Sequence, residues 1–306
     1  MNKVERVRAA LAGSAVDRVP ASFWYHFPPD RNRGQASVRA HLEYYREAGL
    51  DYLKVMNEHP YQANVTIQSA ADWRKVRPAP IRARFYQEQL DELKAILDAV
   101  QGECLVITTL FGPFSSGNHA SGHQVTEHLK QDAQAVEEGL AAIADSLAEF
   151  AAACVGVGAS GIYYSAQGGE ADRFTQEEFE TAIKPNDLTV LRAIARQGEF
   201  NLLHVCGERV RLGLYADYPS HAVNWAVSKH DLTLKEGRSL FRRTVVGGMD
   251  NRGVIVDGSP DAIRGAVRHL IADSGTLGVI LGADCTLPTD IPIGNIRLAV
   301  ESTQAA

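Results

Sequence analysis

Three residues in this 306-residue chain have the types and spacing to bind a metal: His204, Cys206 and Cys285. In His204-Val-Cys206 the two candidate ligands stand two apart, and in a β-strand such residues point to the same face. Imidazole nitrogen and thiolate sulfur are good ligands for zinc. Cys285 lies far along the chain, in Gly282-Ala-Asp-Cys285. Three protein ligands with a fourth position open is the catalytic arrangement of zinc, whereas four ligands close a structural site. An open position would take a thiol, which loses its proton on the metal and is nucleophilic at neutral pH. The same three residues also fit a plainer description, a core histidine and two small thiols that behave as hydrophobes. Spacing leaves both open.

Other polar residues follow predicted strands. Glu170, in Gln167-Gly-Gly-Glu170, could be a fourth ligand or accept a thiol proton, or be a solvated loop carboxylate. Asp250, after Gly247-Gly-Met249, could orient His204 from behind or cap the next helix. Tyr25 and His26 follow the first predicted strand, where a substrate would touch, although Trp24-Tyr-His-Phe27 is equally the composition of a packed lid. His230 and Asp231 are reserve ligands, as are Asn57, Glu58 and His59. His119 and His123 fall in a Gly/Ser-rich segment, 115–123, that reads as a mobile lid and not a helix, so no second metal is expected there. Cys104 lies at the opposite end of its strand and Cys154 near a helix end, and both read as structural.

The elements that must position these residues alternate along the chain. Short apolar runs at 19–24, 52–56, 104–108, 161–165, 200–205, 222–226, 244–247 and 277–281 read as strands buried on both faces. Amphipathic stretches separate them: 37–48 ended by Gly49, 84–100, a long helix over 125–152, and 293–301. Thr175-Gln-Glu-Glu178 is a capping-box signal, and Ser259-Pro-Asp261 places proline at a first helical position. Residues 1–12 read as an extra N-terminal helix ended by Gly13. Eight strand–helix units predict a (β/α)8 TIM barrel, with His204, Cys206 and Cys285 at the C-terminal ends of two strands, where barrel active sites lie. An open doubly wound sheet is the alternative, but no Gly-x-Gly-x-x-Gly follows the first strand. With no linker or repeat, residues 1–306 read as a single domain.

Composition narrows the function classes. The chain is 45% hydrophobic and 22% charged, enough to bury a core without disulfide staples, and its four cysteines are scattered as in a reducing cytoplasm. Net charge is −6 with no basic block, so nucleic acid is not an expected partner. No run of about 18 apolar residues suggests a membrane span, and the charged start, Met1-Asn-Lys-Val-Glu-Arg6, is unlike a secretory signal.

At several of these positions the chain resembles the uroporphyrinogen decarboxylase superfamily, and within it the zinc-dependent methylcobamide:coenzyme M methyltransferase-like branch. The similar segments are Glu5-Arg-Val-Arg-Ala-Ala-Leu-Ala-Gly13 with Asp17-Arg-Val-Pro20, Phe111-Gly-Pro-Phe114, His204-Val-Cys-Gly207, Val246-Gly-Gly-Met-Asp250, Gly282-Ala-Asp-Cys285, and Pro288 through Ile296. The resemblance implies a (β/α)8 barrel in which His204, Cys206 and Cys285 bind zinc, and zinc activates a thiol acceptor for attack on a methylated corrinoid. No Asp-x-His-x-x-Gly corrinoid motif occurs in this chain, so the corrinoid would come from a partner protein. The chain departs from the decarboxylases, whose Arg-Gln-Ala-Gly-Arg segment after the first strand is replaced by Phe23-Trp-Tyr-His-Phe-Pro-Pro-Asp-Arg31. A metal-free, uroporphyrinogen decarboxylase-like lyase is the second expectation, and a zinc-stabilised ligand-binding module the third.

Overall fold

The computed structural model describes residues 1–305. Seven parallel strands follow one another in chain order around a curled sheet: β1 Tyr52–Val55, β2 Leu105–Phe111, β3 Gly161–Ala166, β4 Leu202–Val205, β5 Ala222–Trp225, β6 Thr244–Met249 and β7 Val279–Ala283. Alternate residues face opposite ways, and both faces are covered. Tyr52, Ile107, Tyr163, Leu202, Val246 and Ile280 form a core inside the ring. Leu53, Val106, Tyr164, Leu203, Val245 and Val279 pack outward against the helices.

The ring closes through an irregular eighth stave. The strand expected over 19–24 makes only isolated parallel bridges, Ala21 to Leu281 and Tyr25 to Leu287. On the β7 side Leu281 N donates to Pro20 O at 2.8 Å and Ser22 N to Leu281 O at 3.0 Å. On the β1 side Asp51 N donates to Ala21 O at 2.9 Å, and Ser22 Oγ to Tyr52 O at 2.8 Å. A continuous ladder fails here for two local reasons. Pro20 has no N–H to offer, and the Ala21 N–H is taken by the Asp51 carboxylate at 2.8 Å. The result is a TIM barrel with seven ladder strands and a hydrogen-bonded closing segment.

The N-terminal helix α1, Lys3–Leu11, plugs the bottom of the barrel. Asn2 and Glu5 form its capping box. Val7 and Ala10 join the inner core, and Thr244 Oγ1 donates to Ala10 O at 2.8 Å. Below the closing segment, buried Asp51 accepts from Arg6 Nη1 and from both Arg18 Nη atoms, each at 2.8 Å. The Arg6, Asp17 and Arg18 positions of the family-like opening are therefore a structural pin.

The longer of the remaining helices form the outer layer: α2 Gly34–Ala48, α3 Arg84–Val100, α4 Pro113–Ala120, α5 Val125–Gln131, α6 Ala133–Gly156, α7 Lys184–Ile194, α8 Leu234–Phe241, α9 Pro260–Ser274 and α10 Ile293–Ser302. Gly49 ends α2 in the left-handed conformation, the Thr175–Glu178 capping box forms, and Ser259 caps α9 with Pro260 at its first turn. Two expectations are corrected. The single helix over 125–152 is broken at Asp132, whose side chain accepts from Ala135 N at 3.1 Å as the cap of α6 and pairs with Arg74 at 2.6 Å. The segment 115–123 is not a loose lid: α4 covers most of it. Gly117 fits this helix where a larger residue would not, because a Cβ would meet Leu140 Cδ2 at 2.8 Å and the Trp73 ring at 3.0 Å; it lets α4 seat against the core. Helix α6 is long and apolar enough by composition to cross a membrane, yet Val136, Leu140, Ile143 and Leu147 on it are fully or almost fully buried in the fold.

Candidate metal centre

His204 is the third residue of β4 and Cys206 follows that strand directly, with Cys206 N donating to Ala166 O at 3.0 Å to extend the ladder. Val205 between them is turned outward into the helix-facing core. Cys285 follows β7, reached through Asp284, whose N donates to Met249 O at 2.9 Å. The buried Asp284 carboxylate accepts from Val227 N and Ser228 N at 3.0 and 2.9 Å, so the turn carrying Cys285 is tied to the turn after β5. All three candidate ligands thus meet at the C-terminal mouth of the barrel. Their donor atoms lie within 4.8 Å of one another.

The histidine is held in one tautomer. His204 Nδ1 lies 2.5 Å from Asn224 Oδ1, its register partner on β5. Asn224 Nδ2 donates both its protons, to Val246 O at 2.8 Å and Ala283 O at 3.0 Å. The amide oxygen must therefore face the imidazole, and Nδ1 must carry the proton. Nε2 is left with its lone pair, 3.6 Å from Cys285 Sγ. A tetrahedral metal with Zn–S and Zn–N bonds of usual length sets such donors about 3.5 Å apart. The sequence leaves Asp250 between orienting His204 and capping the segment that follows; in the structure the residue behind His204 is Asn224. Asp250 Oδ1 accepts from Arg252 N at 2.9 Å and caps its own turn. Asn224→Ala is expected to weaken metal binding about 10- to 100-fold, read by competition with a chromophoric zinc chelator, and an unchanged affinity would contradict the tautomer argument.

The hydrogen bond from Cys206 holds the Cys285 thiol below its ordinary range, with burial opposing and His204 assisting. The same bond, with burial, pushes Cys206 up. A cation at this point is what lets both be thiolates. The donor types, their mutual distances and the locked lone pair all fit zinc.

Glu170 stands beside the triad without belonging to it. An antiparallel bridge to Val210 fixes its backbone. Gly207, at φ +119°, lets it approach: a Cβ there would meet Glu170 Cγ and Oε1 at 3.3 Å. Glu170 Oε2 is buried and accepts no hydrogen bond among the described residues, with Arg173 Nε 3.5 Å away. The Tyr215 hydroxyl, which sequence reasoning did not single out, is likewise buried and unpartnered.

The structure does not bring the other candidates to the triad. Tyr25 turns into the outer core, edge-on to Tyr44 at 4.8 Å and Phe27 at 5.1 Å, so its expected substrate contact is replaced by packing. His26 lies at the rim, its Nδ1 2.5 Å from Glu58 Oε1. It lines a cavity of about 300 Å³ with Asn57, Glu58, Tyr61, Ser116 and His119. His59 is spent on Glu92, 3.1 Å away. His230 uses both ring nitrogens on backbone, Val210 N and Ala226 O. His119 and His123 have ring centroids 5.4 Å apart but form no part of a metal-ligand cluster among the described residues. Two residues that matter were missed, Asn224 and Lys54. Asn224 is the one amide in Ala222–Trp225 and Lys54 the one charged residue in Tyr52–Val55, and that was the signal available.

A closed parallel barrel with a buried histidine and two cysteines converging at its C-terminal mouth is the architecture of an enzyme of the TIM-barrel class. Residues 45–306 match the family described as uroporphyrinogen decarboxylase (URO-D), and the chain belongs to that family. No curated protein sequence matches it. Among solved structures it is similar to a methyltransferase from Methanosarcina mazei, with TM-score 0.79 and 16% identity over 100% of this chain and 99% of that one. It is also similar to a B12-independent methionine synthase from a Shewanella species, with TM-score 0.63 and 13% identity over 94% and 97% of the two chains. A Listeria monocytogenes protein described as a putative vitamin-B12-independent methionine synthase gives TM-score 0.56 and 11% identity over 88% and 85%. At these identities the likeness is one of fold.

Proposed function

We propose that this protein is a zinc-dependent methyltransferase that moves a methyl group between a corrinoid carried by a partner protein and a thiol or similar acceptor. The observation that carries the reading is the convergence of His204 Nε2, Cys206 Sγ and Cys285 Sγ within 4.8 Å. Held by these three ligands, zinc would supply a Lewis-acidic open position at which a thiol is nucleophilic at neutral pH. The chain's own residues do the rest. Asn224 keeps the His204 lone pair aimed at the centre. Asp284 fixes the turn that presents Cys285. Glu170, whose buried Oε2 accepts no hydrogen bond among the described residues and has Arg173 Nε 3.5 Å away, would accept the proton that the thiol gives up. The barrel interior below is packed with Tyr163, Val246 and Ile280, so the acceptor can be reached only from the mouth, where the corrinoid partner would dock.

The metal-free lyase reading fares worse on one particular. Arg31 and Arg33, the arginines of the segment that would bind substrate carboxylates, are engaged elsewhere: Arg31 with Glu43, and Arg33 with Glu58 O and His59. The test is incubation of the metal-loaded protein with a methylated corrinoid protein and a panel of small thiols. The expected result is thioether formation that stops when the metal is chelated and resumes when zinc is restored. Full metal loading with no transfer to any thiol would contradict the reading and favour a zinc-stabilised binding module.

A further inference from the structure

Lys54 is the feature of the barrel interior that this chemistry leaves unused. It sits on β1 facing into the ring and is 4% exposed. Its Nζ lies 3.1 Å from Met56 Sδ, 4.1 Å from the centroid of Tyr163 and 5.3 Å from that of Trp24. Among the described residues the other buried lysine or arginine is Arg6, which is answered by Asp17 and Asp51. Lys54 has no such partner. A thioether is a weak acceptor, and aromatic faces return only part of the cost of burying an ammonium. Methionine or leucine would fill the same space without that cost.

Lys54 is linked to the candidate metal centre through one aromatic ring. The Tyr163 ring stacks on His204, with centroids 5.3 Å apart and planes 22° from parallel, so Tyr163 touches both the ammonium and a metal ligand. Burial draws the Lys54 ammonium down to about 7, and the negative charges pulling it back are first Cys285 and then Glu58. A divalent ion is neutralised by two thiolates. A third thiolate, arriving at the open position, leaves the centre with a net negative charge at a mouth where Cys206 and Cys285 are partly buried.

We propose that Lys54 is a positioning residue whose ammonium supplies the positive charge that balances the acceptor thiolate bound beside Cys206 and Cys285. This rests on the metal-dependent reading of the site. It adds that the counter-charge comes from beneath the centre, across the Tyr163 ring, and acts on the bound anion whatever the rest of the acceptor looks like.

Cobalt(II) as probe metal and 2-mercaptoethanol as a neutral-tailed probe thiol separate the possibilities. The visible spectrum of the cobalt-loaded protein is titrated with the thiol for wild type, Lys54→Met and Lys54→Arg. All three are expected to take up cobalt with similar affinity. Lys54→Met should bind the thiol about tenfold or more weakly, the order expected for removing a nearby unit charge in a medium of intermediate dielectric, and Lys54→Arg should recover most of the loss. Lys54→Met also removes an uncompensated buried charge, so it should fold. Thiol binding by Lys54→Met equal to wild type would overturn the inference, as would an arginine variant as weak as the methionine one, or loss of cobalt together with the thiol. Wild type that binds cobalt but shows no thiol response would overturn the open position and this inference with it. Wild type that binds no cobalt would overturn the metal centre itself.

Discussion

Cys206→Ser is expected to lose the metal while keeping the fold. Zinc affinity should fall on the order of 1,000-fold, because one of three protein ligands becomes a neutral hydroxyl and structural zinc sites draw several kcal/mol from each ligand. Thiol methylation should fall below detection with it. The change is nearly isosteric, and Cys206 is only partly buried at the mouth, so the thermal midpoint of the metal-free protein should hardly move. These two readouts separate a ligand from a small core thiol. A packing cysteine would give the opposite pattern, with unchanged zinc content and a stability loss of about 1 kcal/mol. Cys154→Ser is the natural control. That thiol is buried on α6, and burial alone pushes it well above the ordinary range, so its replacement should destabilise the fold and leave zinc binding intact.

Asp51→Ala is expected to cost about 3–5 kcal/mol of folding stability, the penalty for removing one partner of a buried charge network. The Asp51 side chain is fully buried and is the shared acceptor for Arg6, Arg18 and the Ala21 N–H. Truncation strands two guanidinium groups and a backbone donor at the seam where the closing segment meets β1. Urea unfolding monitored by tryptophan fluorescence should show the midpoint falling with the slope unchanged. Asp51→Asn, which keeps an acceptor without the charge, should lose less. A loss under 1 kcal/mol for the alanine variant would mean that the barrel does not depend on this pin to close.

Much of the fold could be read from the sequence because a parallel barrel repeats one signal. Buried runs such as Leu105–Phe111 and Gly161–Ala166 are apolar along their length, and the helices between them carry caps at their ends. The failures were local. Residues 19–24 have the composition of a strand, but Pro20 and the side chain of Asp51 take ladder positions from it, and only tertiary contact reveals that. Asp132 inside an amphipathic stretch reads as a surface carboxylate until Arg74 and the N–H of Ala135 are seen on it. Gly117 argued against a helix, since nothing in its neighbours shows that Trp73 and Leu140 require the space.

The candidate site divides in the same way. His204 and Cys206 were legible because period-two spacing at a strand end is a local property. Cys285 became part of the same cluster because β7 lies beside the closing segment and its following turn is pinned to the one after β5. An aspartate, Asp250, is a candidate for the orienting partner because carboxylates commonly stand behind ligating histidines, whereas the register of β4 against β5 puts Asn224 there. Lys54 was passed over as one charge in a short strand. Its meaning depends on Tyr163 and His204, which are distant in sequence and stacked in the barrel.

X-ray absorption at the zinc edge of the protein as purified tests the metal centre most directly. The expected spectrum contains one zinc per chain with two sulfur scatterers at about 2.3 Å and a nitrogen or oxygen shell at about 2.0–2.1 Å, and the sulfur count drops to one in Cys206→Ser reloaded with excess zinc. Protein that holds no zinc after growth and purification with the metal present, or zinc whose first shell lacks sulfur, would contradict the assignment of His204, Cys206 and Cys285.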